Sequence, residues 1–92
     1  MEYSYPIRAD WSTEEIVMVT EFFNAIEQAF ENGITRRDLL QAYNAFKKVV
    51  PSMAEEKTLF REFKEVSGYE SYKAVKPAKE GADGDLIKVG AI

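Results

Sequence analysis

Few side chains in this sequence are placed to do chemistry, and Glu56 stands first among them. On a helical wheel it falls inside an apolar arc, between Met53 and Phe60 and on the side of Phe63. A carboxylate there needs a partner, because an unpaired buried charge is costly. Two readings follow. One is a structural salt bridge or capping contact near Pro51. The other is an acid that touches a ligand and has its pKa raised by burial. The structural reading is the commoner outcome.

Lys57, Arg61 and Lys64 fall in a narrow sector of the same helix. Arg36, Arg37, Lys47 and Lys48 mark both ends of the helix before it. With the Pro51-Ser52 corner between them, the pair is similar to a helix-turn-helix that offers its second helix to DNA. Against nucleic acid stand the net charge of −4, the acids Glu55, Glu62 and Glu65 on that helix, and a turn without Gly. The tyrosines form a third group. Tyr3, Tyr5, Tyr43, Tyr69 and Tyr72, with Trp11, have apolar bodies and polar tips, which suits an interface and suits a core lid as well. A lid is the more usual role for aromatics at helical spacing. The candidate interaction surface is therefore Tyr5, Trp11, Glu56, Lys57, Arg61, Lys64, Tyr69 and Tyr72.

Catalysis finds little support. The chain has no His, and so lacks the commonest general base and metal ligand. It has no Cys, and so no thiolate and no disulfide. Glu27 and Glu31 lie four apart on one helical face and could hold a hard cation such as magnesium. A solvated acidic face accounts for them more simply. Ser67-Gly68-Tyr69 lacks the strand–turn–helix setting of a nucleophile elbow. No catalytic, cofactor-binding or metal-binding residue is singled out, no cofactor is implied, and the chain is read as a non-enzyme.

The elements that must position these residues are marked by caps. Ser12, Thr35 and Ser52 are each followed three positions later by an acid, in Glu15, Asp38 and Glu55. A hydroxyl there satisfies an orphan N–H of the first turn, and the acid can reach back to the cap. The runs that follow stop at Gly33, Pro51 and Gly68. Helices are predicted over about 13–32, 36–50, 53–67 and 70–76, the last ended by Pro77. Helix 1 carries an unusually wide apolar face, with Ile16, Val19, Phe23, Ile26 and Phe30 beside Met18, Phe22, Ala25 and Ala29. Leu39, Ala42, Tyr43, Phe46, Val49 and Val50 face inward on helix 2, and Leu59, Phe60, Phe63 and Val66 on helix 3. Tyr69, Tyr72 and Val75 do so around helix 4. Residues 1–11 form an extended arm, too apolar for a free tail, with Trp11 placed to staple onto Ile16.

The fold class is all-α: a compact array of three main helices and a short fourth, with the extended N-terminal arm. Residues 1–79 form one domain, and 80–92 a flexible tail. The tail joins a linker-like 80–85 to the apolar Leu86–Ile92, which is expected to dock on a partner or a second copy. At 92 residues with 46% hydrophobic and 13% aromatic side chains, one small core is what the composition supports. No apolar run approaches the roughly 20 residues of a membrane span, and no signal peptide is visible.

Three stretches carry a resemblance: Tyr5-Pro6 with Trp11-Ser12-Thr13-Glu14-Glu15, Val50-Pro51-Ser52-Met53-Ala54-Glu55-Glu56-Lys57, and Ser67-Gly68-Tyr69-Glu70-Ser71-Tyr72. In this order they resemble the YktA-like family of small uncharacterised proteins from Bacillus-type Gram-positive bacteria. The resemblance covers about residues 3–79 and leaves the tail beyond residue 80 outside. It implies a compact all-helical fold and a cytoplasmic setting, and it supplies no activity, cofactor or site residue.

The leading expectation is a small cytoplasmic, non-enzymatic protein–protein interaction or regulatory module. Its partner would be a protein, with self-association a further route, and neither nucleic acid nor membrane is favoured. The alternative is a nucleic-acid-associated helical domain using the basic face of helix 3, and the third is a small enzyme of unrecognised type.

Overall fold

The first three helices begin at the hydroxyls that the sequence marks. In the computed structural model, which describes residues 4–82 and 84–89, α1 spans Thr13–Glu31, α2 Arg36–Val49, α3 Met53–Ser67 and α4 Tyr72–Glu80. Ser12 and Glu15 close a full capping box, with the Glu15 N–H donating to Ser12 Oγ and the Ser12 N–H to Glu15 Oε1. Thr35 and Ser52 accept from the N–H groups of Asp38 and Glu55 in the same way. Gly68 ends α3 in the left-handed region at φ 81°, its N–H bonded to the Lys64 carbonyl.

The wide apolar face of α1 is explained by what it meets. Helices α1 and α2 lie closely side by side, whereas α3 reaches them through rings at greater backbone separation. The Phe22 ring lies 4.6 Å from Phe46 of α2 and 5.6 Å from Phe60 of α3. Phe23 lies 4.4 Å from Phe63. All five rings are essentially buried, so one aromatic stack joins three helices. Val66 differs from expectation: it is exposed, and the flank of Phe30 is covered instead by the stacked ring of Tyr69 at 4.6 Å.

Helix α4 starts later and ends later than predicted, and Pro77 lies inside it. Proline's fixed φ is itself helical, and what it removes is one N–H toward the preceding turn. Continuing past it buries Ala78 beside Ala74 and Val75 and presents the Ala78 carbonyl to Arg36 Nε at 2.6 Å.

The predicted flexible tail returns to its own chain. Strand β1 (Ile34–Thr35) and strand β2 (Leu86–Ile87) pair antiparallel, Ile34 opposite Ile87 and Thr35 opposite Leu86. The Arg36 N–H donates to the Asp85 carbonyl and the Val89 N–H to the Ala29 carbonyl, both at 2.8 Å. Ile87 is buried. The apolar character of this stretch thus has a use within the fold: Leu86–Ile87 covers the α1–α2 connection. Tyr3, Asp83 and residues 90–92 lie outside the described residues.

Pro6 is buried, and Tyr5 and Trp11 pack on the core. The arm therefore crosses the helices as its composition predicts, with no regular secondary structure over 4–8.

Candidate functional site

Glu56 enters the structure in the first turn of α3, where the helix dipole favours an anion. Its side chain is fully shut off from solvent. Three groups from two other helices converge on it. Lys47 Nζ of α2 lies 2.6 Å from Oε1. The Tyr43 hydroxyl, one turn earlier on α2, donates at 3.2 and 3.3 Å to the two carboxylate oxygens. The Tyr72 hydroxyl of α4 donates to Oε2 at 2.5 Å. Tyr43 and Lys47 are four apart, so both point from one helical face. The same ammonium sits 3.4 Å from the Pro51 carbonyl, tying the α2–α3 corner to the cluster. The structural reading of Glu56 fits this geometry: the carboxylate is paired and hydrogen-bonded, as a buried charge must be.

The surrounding electrostatics follow. Burial, and then the bond to Glu56, push the Tyr72 hydroxyl well above its ordinary range. Burial and the Glu56 charge raise Tyr43 as well, with Lys47 pulling the other way. Lys79 of α4 lies over the Tyr43 ring, its ammonium 4.9 Å from the ring centre. The cluster thus fastens α2, α3 and α4 together.

Tyr5 and Tyr69 repeat the tyrosine–carboxylate motif nearer the surface. Tyr5 donates to Glu27 Oε1, and Tyr69 donates to Glu31 Oε2 at 2.8 Å. The paired acids of α1 are therefore hydrogen-bond acceptors for the arm and for the α3–α4 connection. Among the described residues, no group of three or more acids, His or Cys could hold a metal ion.

Of the sequence-derived candidates, Glu56 and Tyr72 come together. Tyr5 and Tyr69 both flank Phe63, at 5.9 and 6.5 Å between ring centres. Trp11 is half-buried against the core. Lys57, Arg61 and Lys64 stand apart from all of these, exposed along the outer face of α3. Lys64 makes a loose pair with Glu70 at 3.7 Å. Glu62, one of the acids that count against nucleic acid on this helix, accepts a two-pronged contact from Arg8 of the arm at 3.0 and 2.9 Å. That contact holds the Glu62 carboxyl below its usual range. The sequence reading missed Lys47 as a partner of Glu56. The available signal was the Tyr43/Lys47 spacing on the face that also carries Phe46 and Val50.

A shallow surface depression of about 570 Å³ is lined by Thr35, Arg37, Asp38 and Gly84 at the start of α2. Thr35 is already engaged there as the cap of Asp38. No helix among the described residues is long and apolar enough to cross a membrane.

Known proteins extend this picture. The chain matches the family described as "Uncharacterised protein family (UPF0223)" over residues 2–87. A UPF0223 protein of Lysinibacillus sphaericus (strain C3-41) is 62% identical over 89 residues, covering 97% of this chain and 94% of that protein. One from Bacillus mycoides (strain KBAB4) is 47% identical, covering 97% and 100%. One from Staphylococcus aureus (strain MRSA252) is 52% identical over 79 residues, covering 86% and 87%. The family match runs past residue 80 to the end of β2, in keeping with the pairing of Leu86 and Ile87 with β1. The Bacillus-type range agrees with the resemblance drawn from the cap and aromatic stretches, and the chain belongs to the UPF0223 family.

Proposed function

We propose that this chain is a non-enzymatic interaction module of the cytoplasm that presents the outer face of α3 to an acidic partner protein. The observation that carries this reading is the placement of Lys57, Arg61 and Lys64. They are exposed at i, i+4 and i+7 on one helical face, while the inner face of α3 is buried. Glu62, next to Arg61 in sequence, is occupied by Arg8. The residue types that could do chemistry are engaged in holding helices together: Glu56 by three donors, and Tyr5, Tyr43, Tyr69 and Tyr72 each by a carboxylate. An enzyme would need convergent polar groups facing a cleft. The kinship with YktA-like proteins belongs to this same reading. A phosphate backbone is a less suitable partner, since Glu65 stands exposed beside the bases and the chain carries net charge −4.

The test is site-specific photo-crosslinking in the producing cell, with the reactive residue at Lys57, Arg61 or Lys64. Asn24 and Glu14, exposed on α1, serve as controls. A discrete protein adduct from the α3 positions alone is expected. With the crosslinker at Arg61, it should disappear when Lys57 and Lys64 are changed to Glu. An equal adduct from Asn24, or one that survives the charge reversal, contradicts the proposal. A nuclease-sensitive adduct would transfer the reading to nucleic acid.

A further inference from the structure

The arm lies between α1 and α3 as a bound peptide would lie. The Tyr5 ring sits 6.1 Å from Phe23 of α1 and 5.9 Å from Phe63 of α3, and its hydroxyl reaches Glu27. Pro6 is buried, and Ile7 points outward. Arg8 then clasps Glu62 through both terminal guanidinium nitrogens, Nη1 and Nη2. The side chains of this short extended run therefore meet an aromatic cup at one end and a carboxylate at each end. Both walls come from distant parts of the chain, 22 residues away at Glu27 and 54 at Glu62. The Phe23 and Phe63 rings also meet each other directly, 4.4 Å apart, so the floor of the cup is built by α1 and α3 themselves.

From this geometry we propose that the α1–α3 groove is a peptide-binding site occupied in cis by the arm, and that a partner segment of aromatic–Pro–Xaa–Arg type displaces it. The acids and the cup define that chemistry. Glu27 takes the hydroxyl of an aromatic residue, Phe23 and Phe63 take its ring, and Glu62 takes a guanidinium three residues on. Arg suits the last position because its planar fork matches a carboxylate with two parallel bonds. The arm competes at the effective concentration that a short tether confers, about millimolar. It thereby weakens any incoming segment by the fraction of time the groove stands open. This site shares only Glu62 with the flank of the basic face of α3, and each proposal can fail without the other.

The test uses the chain lacking residues 1–8, which keeps Trp11 and the Ser12 cap, and a synthetic peptide of residues 1–9. The shortened chain is expected to bind the peptide one to one, with amide shifts centred on Phe23, Glu27, Glu62 and Phe63. The intact chain should bind it at least ~10-fold more weakly. A peptide with Arg8→Glu should also bind at least ~10-fold more weakly, and Glu62→Arg in the chain should restore it. A folded shortened chain that ignores the peptide overturns the proposal, as does equal binding by the intact chain. If the shortened chain does not fold, Tyr5→Ala in the full chain decides. Peptide binding should tighten relative to the unaltered chain, and no gain overturns the proposal. A dimer of the full chain that vanishes on removal of the arm would make a second copy the occupant and overturn the partner reading.

Discussion

Lys47 Nζ and Glu56 Oε1 are 2.6 Å apart, and the carboxylate of this pair has no solvent exposure while the lysine keeps about a quarter of its own. The asymmetry matters. The lysine can remain partly hydrated along its stem and head, whereas the carboxylate depends wholly on its protein partners. Tyr43 and Tyr72 complete those partners, and each belongs to a helix that must be in place for the charge to be tolerated.

The α4 end of the cluster should be separable from the rest. Tyr72→Phe keeps the ring, which lies 4.7 Å from Phe60, and removes the hydroxyl from a buried carboxylate. A loss of about 1.5–3 kcal/mol is expected, as for hydrogen bonds to charged groups. Tyr43→Phe should cost less, because its contacts are longer. Urea unfolding gives the energies. Amide exchange should show faster opening of α4 in Tyr72→Phe while α1 stays protected.

The tyrosines also predict alkaline instability. Tyr5, Tyr43 and Tyr72 are raised chiefly by burial, and Tyr69 chiefly by its bond to Glu31. An acid whose pKa is higher folded than unfolded ionises first in the unfolded chain. The stability tied to these groups is therefore fully present below the ordinary tyrosine value of 10.0 and is lost as pH rises toward the folded values. Ultraviolet titration should show tyrosinate forming later in the native chain than in urea, together with loss of helix. The opposite sign holds at Glu62. Its carboxyl is lowered by Arg8, so its contribution is present above 4.5 and fades as pH falls through the folded value.

Gly33 joins α1 to β1 at φ 94°, and an added Cβ would stand 3.3 Å from the Leu86 side chain. Gly33→Ala should thus combine left-handed strain with displacement of β2, costing about 1–2 kcal/mol. Gly68→Ala, at φ 81° with open space around it, should show the backbone penalty alone, about 1 kcal/mol. Amide exchange at Ile87 and Val89 should rise in the first variant and stay unchanged in the second.

These residues also show what a single sequence can carry. The starts of α1, α2 and α3 were legible because Ser12, Thr35 and Ser52 act within their own turns, and local chemistry is written locally. Glu56 was legible as an anomaly for the same reason: one charge stood out against one apolar face. Its partners were not legible. Lys47 in a last helical turn reads equally well as a complement to the helix dipole, and only the packing of α2 on α3 distinguishes the two. The seating of Leu86 and Ile87 depends on a pairing some fifty residues distant. Pro77 misled because its effect on a short helix depends on whether Ala78 gains burial beyond it.

The contacts of Glu56 with Lys47, Tyr43 and Tyr72 cast this carboxylate as a clasp between helices. A double-mutant cycle in urea with Lys47→Met and Glu56→Gln tests it most directly. Lys47→Met alone should destabilise by about 3–5 kcal/mol, because it leaves a fully buried carboxylate without its cation. Glu56→Gln alone should cost about 1–3 kcal/mol, because it leaves the partly hydrated Lys47 and two tyrosine hydroxyls without their anion. The two changes should be coupled by at least ~1 kcal/mol. A Glu56→Gln chain as stable as the original or more so, with no coupling to Lys47→Met, would return Glu56 to the reading of a ligand-contacting acid.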